Sequence, residues 1–215
     1  MCGRFTLSDP ERLITHYSRY RFPQVKRSFN VAPTHDVVTL CDDAGTDVAL
    51  HSWGFAGGSG SLIVNARSET VDERPMFREA FENQRCVVFA DSYYEWMTDI
   101  RAKRPFRFVI EDGKPFTFAA MWEPLLNGRR AVCLMTTQPN EKQRAVHDRS
   151  PVILDDADID RWLSSGTRPA ELLELCHPIP ARVIHGYEVS PLVNNVNNDD
   201  ERCIAPYTPP ELSLF

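Results

Sequence analysis

Residues 85–96 read RCVVFADSYYEW, an apolar run that ends in a glutamate between two aromatic side chains. A short continuous apolar run rich in valine and aromatic residues is typical of a buried strand. A carboxylate held between Tyr94 and Trp96 is partly removed from water, which raises its pKa and favours Glu95 as a proton donor near neutral pH. A core strand that ends in one solvated glutamate is the competing interpretation.

Turn signals on either side of this strand predict two hairpins. One joins residues 37–41 to residues 48–53, and the other joins residues 107–111 to residues 116–121 across an Asp-Gly pair. Residues 131–136 continue the strand pattern. The chain is therefore expected to build a mostly antiparallel sheet.

Short helices are predicted around these strands, several of them with proline in the first turn. They cover residues 8–18, 75–83, 139–147, 156–164 and 169–176. Hairpin strands mixed with short helices, without a regular strand-helix alternation, indicate an α+β fold.

The composition is that of an ordinary globular chain, with 215 residues, 42% hydrophobic and 25% charged. One domain is expected over residues 1–215, with residues 203–215 as a proline-rich extended tail. No apolar run long enough to span a membrane and no secretory signal is found. We therefore expect a cytoplasmic protein, nucleoid-associated if it is prokaryotic, with no membrane partner.

Six cysteines are scattered without a Cys-x-x-Cys pair, which favours reduced core thiols over a disulfide framework or a zinc site. No metal or organic cofactor is implied, and without a heptad or repeat pattern we expect a monomer. The net charge of −6 argues against non-specific polyanion binding by the whole molecule but leaves room for a local basic groove. Taken singly, the arginines near the motifs are best explained as solvated surface residues: Arg4, Arg67, Arg74, Arg78, Arg85 and Arg149.

Cys2 becomes the N-terminal residue once the initiator methionine is removed, and it then carries an amine and a thiol on adjacent carbons. The amine can form a Schiff base with an aldehyde, and the sulfur can add to that imine to close a thiazolidine. Because the reference pKa values are about 8 for the amine and about 8.5 for the thiol, both need a neighbouring acid or base. A cysteine that merely follows a start codon is the competing interpretation.

A strand over residues 64–70 is expected to place Asn65, Arg67 and Glu69 on one face. There Arg67 can hold a phosphate with two hydrogen bonds, and Asn65 can orient a small nucleophile. An amphipathic edge strand accounts for the pattern equally well.

His147 titrates in the range needed to shuttle a proton, and Arg149 points the same way if the segment is extended. A structural histidine is the competing interpretation, and the neighbouring acid and arginine favour the functional one. Four asparagines within residues 194–198 favour a loop held by side-chain hydrogen bonds, and we assign that loop no catalytic role.

Taken in order, these pieces closely resemble the SOS response-associated peptidase family. The matching motifs are MCGRF at 1–5, NVAPT at 30–34, WG at 53–54, NARSET at 65–70, the flanks of 85–96, WE at 122–123, TT at 136–137, HDR at 147–149 and SPLVN at 190–194. The resemblance implies a single domain of this family, with an open barrel-like core of mostly antiparallel sheet and short flanking helices.

The resemblance also implies an abasic-site sensor that crosslinks itself to abasic sites in single-stranded DNA and protects them during the DNA damage response. Cys2 would be the nucleophile through both amine and sulfur, and Asn65 would position it. Glu95 would transfer protons during imine formation and ring opening, and His147 would be the second acid or base. A lyase-like activity at the abasic site is expected beside the crosslinking.

The same resemblance implies a DNA-binding surface around the nucleophile. Arg4, Arg67 and Arg149 would grip the flanking phosphates. Trp96 and Trp53 would stack on the DNA. A replication-associated partner cannot be identified from the residues.

Two other functions fit these residues. An N-terminal-nucleophile peptidase, the activity in the family's name, would use Cys2 to attack an amide, with Asn65 in an oxyanion hole and self-processing as its natural reaction. A non-covalent reader of modified or single-stranded DNA would use the arginines and tryptophans alone.

Overall fold

The computed structural model describes residues 2–98, 103–126 and 128–208. Over these residues the strands are β1 (Arg4–Leu7), β2 (Ser28–Val31), β3 (Asp36–Cys41), β4 (Ala49–Trp53), β5 (Phe55–Ala56), β6 (Leu62–Ile63), β7 (Asn65–Arg67), β8 (Arg85–Ala90), β9 (Ser92–Thr98), β10 (Lys103–Ile110), β11 (Phe116–Pro124), β12 (Arg130–Thr137), β13 (Ser150–Pro151), β14 (Ile153–Leu154) and β15 (Ile184–Glu188). The α-helices are α1 (Pro10–His16), α2 (Pro75–Asn83), α3 (Glu141–Arg144), α4 (Ile159–Leu163) and α5 (Pro169–Leu175).

Five strands close on themselves into a barrel, in the order β12-β4-β3-β8-β11 and back to β12. Only the β12–β4 contact in this ring is parallel, with Val132 opposite Trp53. Closing a sheet in this way removes its exposed edges. The fold class expected from the sequence, α+β on mostly antiparallel sheet with a barrel-like core, is confirmed.

A second sheet, ordered β15-β10-β9-β1-β2, packs against the barrel. Phe5 of β1 lies 5.2 Å from the Trp53 ring and 5.6 Å from the Phe118 ring, measured between centroids. Tyr93 of β9 approaches the same Phe118 ring at 6.2 Å. Because β1 is hydrogen-bonded on both sides, by β9 and β2, the residues just before it are anchored against the barrel.

The predicted helices form, several of them shorter than expected. The helix at 75–83 is confirmed as α2, and Asp9 caps α1 by accepting a hydrogen bond from the backbone amide of Arg12 at 3.0 Å. The helix expected at 139–147 is confined to α3: the Asn140 side chain accepts from the backbone amides of the first turn and sets the late start, and the helix ends at Arg144, before His147. A short 3₁₀ turn replaces the first part of the helix expected at 156–164.

The hairpin between residues 37–41 and 48–53 is confirmed, since β3 and β4 pair antiparallel with Val38 opposite Leu50. The second predicted hairpin is wrong. Strand β10 pairs with β9 and β15 in the second sheet, whereas β11 pairs with β8, β12 and β14 in the barrel sheet. The Asp-Gly turn therefore passes the chain from one sheet to the other.

All six cysteines are free, buried thiols, as the sequence predicts. Residues Gly58–Gly60 form a short 3₁₀ turn between β5 and β6. Of the predicted tail, Cys203 is buried at the end of a 3₁₀ turn, and the Tyr207 amide donates to the Glu188 carbonyl at the end of β15 at 2.9 Å. Residues 209–215 lie outside the described residues. The described part of the chain contains no helix with the length and hydrophobicity needed to cross a membrane.

Candidate active site

Four separate segments bring the predicted reactive residues together at one end of the barrel. The antiparallel register of β1 and β9 sets Arg4 opposite Tyr94, so Glu95 comes alongside the two residues that precede β1. Strand β7 runs parallel to β12 and contributes Asn65. His147 lies in the turn that follows α3 and leads into β13.

Asn65 holds the backbone of Cys2 in place. Its Nδ2 donates a hydrogen bond of 2.8 Å to the backbone carbonyl of Cys2. Its Oδ1 is buried without a hydrogen-bond partner among the described residues, so it is an open acceptor beside Cys2. The amide therefore fixes the backbone of Cys2 through one atom and leaves the other for a group that arrives.

Cys2 is fully buried, and its sulfur lies 3.9 Å from the Arg4 carbonyl. Burial raises the pKa of the thiol well above its usual range, and the negative charge of Glu95 raises it further. The thiol is therefore protonated at neutral pH and requires a base before its sulfur can act as a nucleophile.

Glu95 is the group best placed to supply that base. Its side chain is buried, and this burial raises its pKa to about 7. Both protonation states are then well populated near neutrality, as a proton-transfer catalyst requires. The interpretation of a solvated glutamate is wrong, since the residue is 3% exposed.

The ring of His147 lies against Glu95, with its Nε2 3.9 Å from Oε2 of the carboxylate. Its Nδ1 accepts a hydrogen bond of 3.0 Å from the backbone amide of Arg149, which leaves the proton of the neutral ring on Nε2, facing Glu95. Burial lowers the pKa of His147, so the neutral form dominates at pH 7. The exposed Asp148 carboxylate, 3.0 Å from Nδ1, can accept a proton from that nitrogen only in the charged ring.

The predicted strand over residues 64–70 ends early, because β7 stops at Arg67 and the next three residues form a 3₁₀ turn. The expectation of Glu69 on the same strand face as Asn65 is therefore wrong. Glu69 instead forms a two-point ion pair with Arg149, at 2.6 and 2.8 Å. Arg67 remains exposed beside Asn65.

Arg149 is not the surface residue expected. It is 6% exposed, and besides Glu69 its guanidinium donates to the Thr136 carbonyl at 2.8 Å. Since a buried cation needs such partners, the ion pair anchors the turn that carries His147. Direct contact between Arg149 and a DNA phosphate would first require this ion pair to open.

Arg4 is half-buried and points to the asparagine-rich loop. Its Nη1 donates to Asn30 Oδ1 at 2.9 Å and to the Val193 carbonyl at 2.8 Å. The Nδ2 of Asn30 in turn donates to the carbonyls of Val193, Asn195 and Asn198 at 2.8–3.2 Å. The structural role predicted for the loop at 194–198 is confirmed.

We expect Asn30→Ala to lower the free energy of unfolding by about 2–3 kcal/mol, because it leaves several buried hydrogen-bonding groups without a partner at once. Asn30 is 1% exposed. Urea titration measures the change, with Asn197→Ala, at an exposed position of the same loop, as the control. Equal stability of the two variants would contradict this role.

The two tryptophans differ sharply in exposure. Trp53 is fully buried, with its Nε1 donating to the Val64 carbonyl at 3.1 Å, so the expected stacking of this ring on DNA is wrong. Trp96 is half-buried, and its Nε1 donates to Asn194 Oδ1 at 2.7 Å.

A model of the SOS response associated peptidase (SRAP) family matches residues 1–196. The chain belongs to this family. The abasic site processing protein YoqW of Bacillus subtilis (strain 168) is 34% identical over 221 residues, covering 95% of this chain and 99% of that protein. YobE, another abasic site processing protein of the same strain, is 34% identical over 91% of this chain and 97% of its own length.

The crystal structure of a protein from Bacteroides thetaiotaomicron shares the fold of this SRAP chain, with a TM-score of 0.84. The two chains are 19% identical, and the match covers 96% of this chain and all of the other. At that level of identity, the likeness concerns the fold alone.

Sequence reasoning missed a cleft of about 370 Å³ next to Asn65 in this SRAP chain. Arg67 and Arg74 line it, together with the apolar side chains of Met76 and Phe77. Part of this cleft is visible in the sequence, since Arg67 and Arg74 both lie near the motifs. What the sequence did not reveal is that α2 folds back and sets Arg74 on the same cleft as Arg67.

Proposed function

We propose that this SRAP chain processes abasic sites in DNA, by closing a thiazolidine between Cys2 and the ring-opened sugar of an abasic site in single-stranded DNA. The observation that carries the proposal is the convergence of Cys2, Asn65, Glu95 and His147 from four distant segments. The names of the curated relatives, abasic site processing proteins, support the same class of substrate.

The reaction begins with the amine that Cys2 acquires when Met1 is removed. The amine adds to the aldehyde carbon of the opened sugar, and the resulting hydroxyl leaves as water to give an imine. The sulfur of Cys2 then adds to the imine carbon, and its proton ends on the nitrogen. One C–N bond and one C–S bond form, and one water is released.

Glu95 and His147 carry out the proton transfers of this reaction. With a pKa of about 7, Glu95 can give a proton to the departing hydroxyl and afterwards take the proton of the Cys2 thiol. The His147 ring can take up a proton from solvent at Nδ1, beside the exposed Asp148, and the charged ring can then pass its Nε2 proton to the Glu95 carboxylate, which returns the ring to its neutral form. The same pair can assist opening of the sugar ring and reversal of the adduct.

Asn65 acts as a positioning group in this scheme. It donates to the carbonyl of Cys2 itself, which holds the nucleophile, whereas a self-processing peptidase would need its oxyanion donors on the carbonyl of Met1. In the cleft beside Asn65, Arg67 and Arg74 can bind the phosphate backbone of DNA. This local basic surface accounts for DNA binding by a chain with net charge −6.

Intact-mass measurement tests the proposal. The processed protein is incubated with a single-stranded oligonucleotide that carries an abasic site, and with one that carries a reduced sugar lacking the aldehyde. We expect a heat-stable adduct, equal to the sum of both masses less one water, with the first oligonucleotide only. Cys2→Ala should form none.

The other outcomes point to the other functions. Equal DNA binding by the processed protein and Cys2→Ala, without an adduct, would favour a non-covalent reader. Release of a peptide without an adduct would favour a peptidase. Absence of any heat-stable adduct from the processed protein overturns the proposal.

A further inference from the structure

The far end of the barrel holds a second group of thiols and charged side chains. Cys41 ends β3 and Cys86 lies near the start of β8, where the two residues are directly opposed. Arg130 begins β12 at this end, whereas Thr136, beside the candidate active site, lies close to the other end of the same strand. The group is therefore separate from Cys2 and is not used by the proposed reaction.

The register makes Cys41 and Cys86 a pair that can be bridged. The amide of Asp42 donates to the Arg85 carbonyl at 2.9 Å, so those two residues form the hydrogen-bonded pair and the cysteines form the adjacent non-hydrogen-bonded pair. Opposed residues of that kind have Cα atoms about 4.5 Å apart, within the range of about 4.4–6.8 Å that a disulfide needs. Both side chains point to the same face and belong to the same buried cluster.

A guanidinium and an imidazole lie beside one of the two thiols. Cys41 faces the His51 ring and the Arg130 guanidinium as well as the Cys86 thiol. The guanidinium is held there by a two-point ion pair with Asp43, at 2.7 and 2.5 Å, and it stacks 3.8 Å from the centre of the Trp122 ring. A guanidinium in this position stabilises a thiolate.

The two thiols consequently differ in reactivity. The hydrogen bond from Cys86 lowers the pKa of Cys41, with His51 and Arg130 acting in the same direction, whereas burial raises the pKa of Cys86. Cys41 is 2% exposed and Cys86 is fully buried, whereas the Arg130 side chain beside Cys41 is 24% exposed, which leaves the side of Arg130 as the approach for a small hydroperoxide.

We propose that Cys41 and Cys86 form a redox site that reacts with hydroperoxides, with Cys41 as the attacking thiolate and Cys86 as the resolving thiol. In the first step the Cys41 sulfur attacks one peroxide oxygen: an S–O bond forms, the O–O bond breaks, and the leaving hydroxide or alkoxide takes up a proton. In the second step Cys86 loses its proton and attacks the Cys41 sulfur. An S–S bond forms, the S–O bond breaks, and water leaves.

The two thiols together lose two electrons and two protons, and the peroxide is reduced by the same two electrons. The test uses the folded, full-length Cys2→Ala variant, so that the N-terminal thiol does not contribute. The protein is treated with hydrogen peroxide, alkylated, denatured and digested. We expect an intact mass lower by two hydrogen atoms and a peptide pair joined through Cys41 and Cys86.

Two further variants sharpen the result. Cys133→Ser, which removes a buried thiol on the opposite face of the same barrel wall, should leave the crosslink unchanged. Cys86→Ser should give a sulfenic acid on Cys41 that dimedone labels. Arg130→Met should slow Cys41 oxidation by about tenfold or more, because it removes the charge that favours the thiolate.

A crosslink that joins any other cysteines, or oxidation spread equally over all buried thiols, would overturn the proposal. So would a folded protein that keeps all its thiols after peroxide treatment. Because these readouts are made without Cys2 and without DNA, they are independent of the outcome of the abasic-site experiment.

Discussion

Glu95→Gln is expected to slow adduct formation with an abasic oligonucleotide by about a hundredfold or more, the usual contribution of a positioned acid-base group. Glutamine keeps the size of the side chain and removes only its ability to carry a proton between the hydroxyl, the thiol and His147. The buried Cys2 thiol, whose pKa burial raises, then lacks the carboxylate that the proposed reaction uses as its base.

The pH dependence should change in the same variant. In the unsubstituted protein the rate of adduct formation is expected to show an inflection near pH 7, where Glu95 titrates. Single-turnover rates measured between about pH 5 and pH 9 should lose this inflection in Glu95→Gln. Glu79→Gln, at an exposed position on α2, is the matched control and should behave like the unsubstituted protein.

Stability gives a second readout for the same residue. The pKa of Glu95 is raised in the folded state from 4.5 to about 7, so the folded protein disfavours the charged form. Stability is therefore greatest below the unfolded pKa and falls as pH rises from 4.5 towards 7, by about 3 kcal/mol at most. Glu95→Gln should flatten that decline, and an unchanged decline would show that Glu95 is not buried as described.

The sequence predicted the local features of this fold well. Helix α2 and the β3–β4 hairpin are each predicted by turn residues and by a spacing of apolar residues that lie within about ten positions of sequence. The strand partners of β10 and of β11 could not be predicted from such local patterns. The Asp-Gly signal reports only that the chain turns, while pairing is decided by contacts with β8, β9, β12 and β15 that are distant in sequence.

The candidate site likewise contains residues that could be predicted from the sequence and residues that could not. Cys2, Asn65, Glu95 and His147 were singled out from residue chemistry and from the family resemblance, and the fold brings them together. The role of Glu69 was missed, because its partner Arg149 lies 80 positions away. The sequence does not distinguish an arginine that faces solvent from one that faces buried carbonyl groups. The burial of Arg85 and Arg149 could therefore not be predicted.

Arg85 is the clearest case, since this fully buried side chain caps the ends of two helices. Its Nε donates to the Trp162 carbonyl at 2.7 Å, and its Nη2 donates to the Ser164 carbonyl at 2.8 Å, both at the end of α4. Its Nη1 donates to the Phe81 carbonyl at 2.9 Å and also to the Glu82 carbonyl, both in the last turn of α2. These are the carbonyls that a helix leaves unsatisfied and that attract a cation.

We therefore expect Arg85→Met to lower the free energy of unfolding by about 3–5 kcal/mol, because the apolar side chain leaves four carbonyl groups without their donor in a buried place. Arg85→Lys retains the charge but cannot reach both helix ends, and we expect it to recover part of the loss. Urea titration gives both values, and Arg78→Ala, an exposed arginine on α2, should change stability by no more than about 0.5 kcal/mol. If Arg85→Lys proved as stable as the unsubstituted protein, the two-helix cap would be wrong, since one ammonium cannot replace four guanidinium hydrogen bonds.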